Sequence, residues 1–328
     1  MTPVLRITGL SVELRTRQGT FNVVSDLDLD VTAGEVVALV GESGSGKSMT
    51  ALAAMHLLPD PPARLAAGSI ELLGDETVGL GEAALARLRG NRMGMVFQEP
   101  MTALNPSMRI GEQIAEVLAL HRGLARRPSL EAAARLMARV RIPDAARRLE
   151  DYPHQMSGGM RQRVMVAMAL ACDPALLIAD EPTTALDPTT QAEILHLFRE
   201  IAEEGRGVLL ITHDLGVVAE VADRVAVMYG GRIVERAVVE DLLAAPEHPY
   251  AIGLLGALPD PSHVPRSRLV EIPGAVPAPW ALPRGCAFAP RCPRADARCS
   301  ADRPPLRPLR SGHEAACWHP GLTTKDAA

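Results

Sequence analysis

The chain has 328 residues, 47% of them hydrophobic and 22% charged, and a formal net charge of −5. That composition provides for a sizeable core, arranged as two domains or as one large domain with an appendage. The negative balance excludes a nucleic-acid binder that works by neutralising phosphates, and no run reaches the roughly 18 apolar residues of a membrane span. The opening "MTPVLRITGLSVEL" lacks a basic segment followed by an apolar one, so no secretory leader is expected and a cytoplasmic location is.

In chain order, "EVVALVG" (35–41) predicts a buried strand and "KSMTALAAMHLL" (47–58) the helix after it. Between them stands "GESGSGKS": Gly41, Glu42, Ser43, Gly44, Ser45, Gly46, Lys47 and Ser48. It fits the phosphate-loop pattern G-x-x-x-x-G-K-S/T in the strand–loop–helix setting that the pattern needs. Glycines let successive amides converge on one anion. Lys47 supplies a point charge for the β- and γ-phosphates, Ser48 offers a hydroxyl to Mg²⁺, and the helix adds its positive end. A nucleoside triphosphate with Mg²⁺ is the expected ligand.

"NRMGMVFQ" (91–98) predicts a further strand that ends near Gln98, and 111–150 carries apolar residues at helical spacing. Helix 161–172 follows "MSGGMRQR", with Ser157, Gly158 and Gly159 just ahead of it. Strand "ALLIAD" (175–180) then delivers Asp180 and Glu181. Asp180 suits the Mg²⁺ shell, and Glu181 can polarise an attacking water. Next come helix 188–204, strand 207–213 ending at His213, helix 214–222, and a hairpin over 224–237 turning at Gly230-Gly231. Strands alternating with helices imply an α/β protein whose mostly parallel sheet is covered on both faces, with a helical insertion at about 100–160. From Pro246 onward the chain holds fifteen of its 27 prolines, which marks residues 246–328 as a loop-rich extension of a domain spanning 1–245.

In this order and spacing the motifs closely resemble the ATP-binding subunits of ABC transporters. The signature there is usually LSGGQ, and here it stands as "MSGGM"; the following "RQR" is familiar from the dipeptide and oligopeptide importers. "VFQEP", "TALD" (184–187) and "LLITHD" fall where the family has them. "QEPMTALNP", "GEQI" and "HPYAIGLL" (248–255) narrow the resemblance to the peptide-importer branch. It implies a P-loop ATPase core with an N-terminal antiparallel β subdomain. Two subunits would share two ATP molecules, the phosphate loop of one facing Ser157, Gly158 and Gly159 of the other. Asp187 would organise that interface, Gln98 would report Mg²⁺ and water to the helical insertion, and His213 would orient the γ-phosphate and the water. Glu181, His213 and Gln98 are thus the expected catalytic set. Ser48, Gln98 and Asp180 surround Mg²⁺.

The resemblance further implies two transmembrane permease subunits, a second ATP-binding subunit, identical or homologous, an extracytoplasmic substrate-binding protein, and a peripheral place on the cytoplasmic face of the membrane. Dipeptides or oligopeptides are the expected cargo, with nickel or small glycosides as alternatives. A soluble ABC-type ATPase of translation or repair is the remaining alternative; those of the translation type usually carry two cassettes, whereas this sequence holds one phosphate loop and one signature. The adenine-stacking aromatic has no assigned position; Phe21 lies 26 residues before Lys47, in the region where the family commonly has it, and is not assigned to the role.

Four of the five cysteines lie in the extension as C-x5-C-x6-C-x17-C: Cys286, Cys292, Cys299 and Cys317. A reducing compartment disfavours disulfides, and a proline- and arginine-rich segment buries little apolar surface, so a metal staple is reasonable. Four thiolates hold Zn²⁺ or an iron–sulfur cluster, and the spacing matches neither the paired knuckles of common zinc folds nor the run of bacterial ferredoxins. The resemblance tips the expectation to a 4Fe–4S cluster, with zinc as the alternative and His313 and His319 as substitute ligands. Cys172, in an apolar run, reads as a core residue.

Overall fold

The computed structural model describes residues 2–184, 186–257 and 272–321. The chain divides into two compact units, one made of 1–6, 30–36 and 70–211, the other of 7–29, 37–69 and 212–328.

The first unit is built on parallel strands. Met93–Val96 pairs with Leu176–Asp180, and the latter with Gly207–Thr212, in registers that set Val96 beside Ala179 and Asp180 beside Ile211. Every residue of Leu176–Asp180 and of Gly207–Thr212 is buried, as continuous apolar strands require when both faces are covered. Helix Gly158–Ala169 buries Gln162 through Ala167 without a break, more than one full turn, so it too is enclosed on every side. The segment expected to be helical over 111–150 consists of Ile110–Arg122, Arg126–Arg139 and the short Ala145–Arg148. The first ends because Gly123 adopts φ +64, the left-handed geometry of a helix stop.

In the second unit Val36–Val40 runs parallel to Arg224–Tyr229, with Val40 beside Val227. Arg224–Tyr229 turns back on Arg232–Val238 through Gly230 and Gly231, whose φ of +53 and +81 are those of a two-residue hairpin turn. The extension contributes two strands that its proline content hid. His313–Ala315 pairs with Arg232–Val238, and Arg307–Arg310 pairs with His313–Ala315. Helix Lys47–Ala54 is shorter than the expected 47–58: His56 stands at φ +52, and Pro59, Pro61 and Pro62 follow. Towards the N-terminus, segments 19–29 and 7–16 lie side by side. The amide of Gly9 donates to Asp28 and that of Asp26 to Ser11, a crossing pattern that marks the pair as antiparallel.

An aromatic group closes this unit's core. Tyr229 meets Tyr250 at a centroid distance of 4.6 Å and Phe288 at 5.2 Å, both edge-on, and all three side chains are buried. Such pairs contribute about 0.5–1.5 kcal/mol each beyond the burial of their area. The strand, the "HPY" helix and the cysteine-bearing segment are thereby fastened to one another.

Candidate functional site

Residues Gly41 to Ser48 and His213 belong to the second unit, as do the four cysteines of the extension. Gln98, Ser157 to Gly159, Asp180, Glu181 and Asp187 belong to the first.

The phosphate loop leaves the buried strand Val36–Val40 and enters helix Lys47–Ala54. Two of its glycines are dictated by contact. A Cβ on Gly41 would lie 2.2 Å from the Met228 carbonyl, and one on Gly46, at φ +108, would lie 2.6 Å from the Val23 carbonyl. Gly44 has nothing within 4 Å of such a Cβ, so the crown of the loop is open. Lys47 is buried, and its Nζ donates to the carbonyls of Gly41 at 2.7 Å and Glu42 at 3.1 Å. The Ser45 hydroxyl is fully buried and has no hydrogen-bond partner among the described residues. An open crown, an orphaned hydroxyl and an ammonium over the loop fit a triphosphate with its Mg²⁺. Ser48 occupies the first turn of the helix.

In the first unit the strand Leu176–Asp180 ends on the buried Asp180. Glu181 follows with φ +46, a left-handed backbone rarely adopted by glutamate, and its N–H donates to the Ile211 carbonyl at 2.9 Å. This sharp bend turns the carboxylate towards two donors, Gln98 Nε2 at 3.1 Å and Thr184 Oγ1 at 3.1 Å. The structure thus brings Gln98 and Glu181 together. Within "TALD", Ala185 lies outside the described residues.

Ser157 caps helix Gly158–Ala169, its hydroxyl accepting the Met160 N–H at 3.3 Å, and Asp187 caps helix Pro188–Glu203. Asp187 accepts from the Thr190 N–H at 3.0 Å and from the Thr190 hydroxyl at 2.7 Å, and these bonds hold its carboxyl below the usual carboxylate range. A Cβ on Gly159 would come within 2.5 Å of the Thr190 methyl. Thr190 therefore sets the two capped helix starts against each other, its methyl on Gly159 and its hydroxyl on Asp187. Nothing in the local sequence marks Thr190 for this role, because the pairing joins residues 31 apart in number. His213 is exposed after strand Gly207–Thr212. The turn that holds it is fixed by Asp214, which caps the next helix through the amides of Gly216 and Val217.

In the extension, Cys286, Cys292, Cys299 and Cys317 are free thiols that line one cavity together with His248, Phe288 and others. Burial pushes all four thiols up, Cys317 to about 11, and neighbouring sulfurs add to the rise at Cys292, Cys299 and Cys317. Against this, the His319 N–H donates to Cys317 Sγ at 3.3 Å, and nearby backbone amides oppose the rise at Cys286 and Cys292. Four cysteine sulfurs around one cavity are donors of the type a thiolate-ligated metal or cluster uses, and such a group would have to displace the protons that burial favours. Among the described residues, the ligand atoms of Asp296, Cys299 and His319 lie within 4.8 Å of one another, a trio that includes one of the four cysteines. His319 is thus close at hand, but His313 is not a substitute ligand. It is fully buried and its Nε2 is 2.7 Å from Glu235, while Arg310 donates to its Nδ1. Cys172 is buried in the first unit, as a core residue.

A glycine-lined loop between buried strand and helix, with its lysine turned over it, defines a P-loop nucleotide-binding protein of the α/β class. The comparisons place it more narrowly. The ABC transporter family profile matches residues 24–184, and that of the oligopeptide/dipeptide transporter C-terminal region matches residues 234–299. A Brucella melitensis protein named as a peptide import ATP-binding protein is 53% identical over 326 residues, covering 96% of each chain. A Sinorhizobium fredii protein named as a peptide ABC transporter ATP-binding protein is 48% identical over 316 residues, covering 96% of this chain and 94% of its own. The dimeric ATP-binding cassette MJ0796, solved with ADP and Pi, has a TM-score of 0.64 at 26% identity and covers 72% of this chain and 98% of its own. The chain belongs to the ATP-binding subunits of ABC transporters, in the branch with the oligopeptide/dipeptide transporter C-terminal region. It is an ATPase coupled to transport.

Proposed function

We propose that this ATPase drives the import of dipeptides or oligopeptides across the cytoplasmic membrane. The observation that carries the cargo is similarity along the whole chain, the extension included, to proteins named for peptide import. Domain 1–245 hydrolyses ATP and 246–328 is the extension. In this reading Gly41 to Ser48 hold the triphosphate, Ser48, Gln98 and Asp180 surround Mg²⁺, Glu181 polarises the water and His213 orients it. Ser157, Gly158 and Gly159 complete the site on a second ATP-binding subunit, with Asp187 beside them. No helix among the described residues is long and apolar enough to cross a membrane. As in an importer of this family, the path would lie in two separate permease subunits, with an extracytoplasmic binding protein supplying cargo. The surface next to Gln98 supports such docking: Phe97 is 40% exposed and Met101 62%. The chain would then sit peripherally on the cytoplasmic face.

The test is uptake of a radiolabelled pool of di- to pentapeptides by cells lacking this chain. Uptake of at least one peptide is expected to fall to background and to return with the wild-type chain but not with Lys47→Ala. Unchanged uptake of every peptide, with nickel or glycoside uptake lost instead, refutes the peptide reading.

The four cysteines of the extension are proposed to hold a 4Fe–4S cluster, with zinc as the alternative. The support is that all four sulfurs line one cavity, with the His319 N–H already donating to Cys317 Sγ. Iron and acid-labile sulfide in anaerobically purified protein are expected at about four each per chain. One equivalent of zinc decides for the rival metal, and metal-free protein contradicts both.

A further inference from the structure

Every polar group of Glu42, the second residue of the phosphate loop, is engaged. Its carbonyl accepts from Lys47 Nζ at 3.1 Å. Its N–H donates to the Tyr250 hydroxyl at 2.8 Å, from a residue 208 positions further on. Its carboxylate takes both prongs of Arg291, Nη1 at 2.8 Å and Nη2 at 3.1 Å, from 249 positions further on. The last two partners belong to the extension. Neither is needed to draw a phosphate loop, and both act on one of the two residues, Gly41 and Glu42, whose carbonyls hold the loop's lysine.

Each partner is itself fixed. The Arg291 side chain is only 6% exposed and also donates to the carbonyls of Ile272, Pro273 and Gly274. Its guanidinium carbon stands 5.8 Å from the centre of the Tyr229 ring. Burial alone would lower its pKa, but the bonds to Glu42 and Tyr229 hold it above the ordinary guanidinium range, so it stays charged. Tyr250 is fully buried in the aromatic group of Tyr229 and Phe288. Its N–H donates to His248 Nδ1 at 3.1 Å, while the N–H groups of His248 and Glu247 donate to the buried Glu235 carboxylate at 2.7 and 2.8 Å. Burial raises the pKa of the Tyr250 hydroxyl, so it remains a neutral phenol that can accept the Glu42 amide. The "HPY" motif thus has a physical role. Pro249 starts the helix, His248 and Glu235 clamp it, and Tyr250 reaches the loop.

We propose that Arg291 and Tyr250 are positioning residues of the nucleotide site, which orient the Glu42 peptide and through it Lys47 for the triphosphate. The extension is then part of the ATP site, and Arg291 ties the loop to the segment between Cys286 and Cys292. The geometry favours an effect on affinity over one on the chemical step, because neither residue approaches the phosphate position except through Glu42. A bidentate charged pair is a strong tether, and a single neutral hydrogen bond is a weaker one. The proposal rests on the reading of Gly41 to Ser48 as the ATP loop.

The test uses the full chain and MgATPγS, a slowly hydrolysed probe, in equilibrium titration, together with the KM and kcat for ATP. Arg291→Met is expected to weaken binding about tenfold, Arg291→Lys to recover part of that loss, and Tyr250→Phe to weaken it about threefold. KM should rise more than kcat falls. Tyr250→Phe keeps the packed ring and removes one hydroxyl, so it decides the matter even if Arg291→Met fails to fold. Affinities within about twofold of wild type in folded Arg291→Met and Tyr250→Phe would overturn the proposal. So would a loss of kcat and melting temperature together with an unchanged KM. Failure of the wild-type chain to bind MgATPγS at all would instead strike the reading of the loop.

Discussion

Glu181→Gln is expected to bind ATP within about twofold of wild type and to release phosphate some 10² to 10⁴ times more slowly, the range for loss of a positioned general base. The amide matches the carboxylate in shape but cannot take a proton from water. Its setting makes the substitution clean. Glu181 sits at φ +46 with its N–H on the Ile211 carbonyl, so the backbone bend does not depend on the side chain's charge. The carboxylate oxygen that accepts Gln98 and Thr184 can be replaced by the amide oxygen, which accepts the same two donors. Basicity and the negative charge are removed, and the shape is kept. Equilibrium nucleotide binding and steady-state phosphate release, measured on the same preparation, separate the two effects. Hydrolysis near the wild-type rate would end the assignment of Glu181 as base.

Lys47→Ala is expected to act on the other half of the cycle, weakening ATP binding by about 10- to 100-fold, the worth of hydrogen bonds made by one charged group. Lys47 is almost entirely enclosed, so its ammonium has left water and is held by the loop carbonyls of Gly41 and Glu42. When a triphosphate enters, the same charge serves the phosphates in a site poor in water, where it counts for more than on a surface. The helix start and the backbone amides remain in the variant, so residual weak binding is expected rather than none. Titration with MgATP in the Glu181→Gln background, where turnover does not interfere, reads the affinity directly. Binding as tight as wild type would show that the loop does not use its lysine.

What could be read from the sequence is what is local. The phosphate loop is eight consecutive residues between an apolar strand and a helix, and Asp180 closes a run of five buried residues with Glu181 directly after it, so pattern and place coincide. The end of helix Ile110–Arg122 was also open to reading, since Gly123 in "HRGLARRP" is a helix stop in residue type and setting. The hairpin of Arg307–Arg310 and His313–Ala315 was not. Its strands are four and three residues long, and only the second, His313–Ala315, pairs with Arg232–Val238, some 80 positions earlier. Thr190 beneath Gly159, and Arg291 and Tyr250 on Glu42, were hidden for the same reason. Each is an ordinary residue of its own segment, and its meaning lies in a contact that chain folding supplies. His313 shows the reverse error: its proximity in sequence to Cys317 suggested a ligand, but burial and the Glu235 carboxylate commit it to the sheet.

The central claim is that hydrolysis at this chain's own site drives import, and the most direct measurement follows both quantities at once. Peptide uptake by cells carrying only the Glu181→Gln chain is compared with phosphate release by the same variant, purified together with its membrane partners. Uptake and phosphate release are expected to fall together to background while nucleotide remains bound. Sustained peptide uptake with phosphate release abolished would contradict the account.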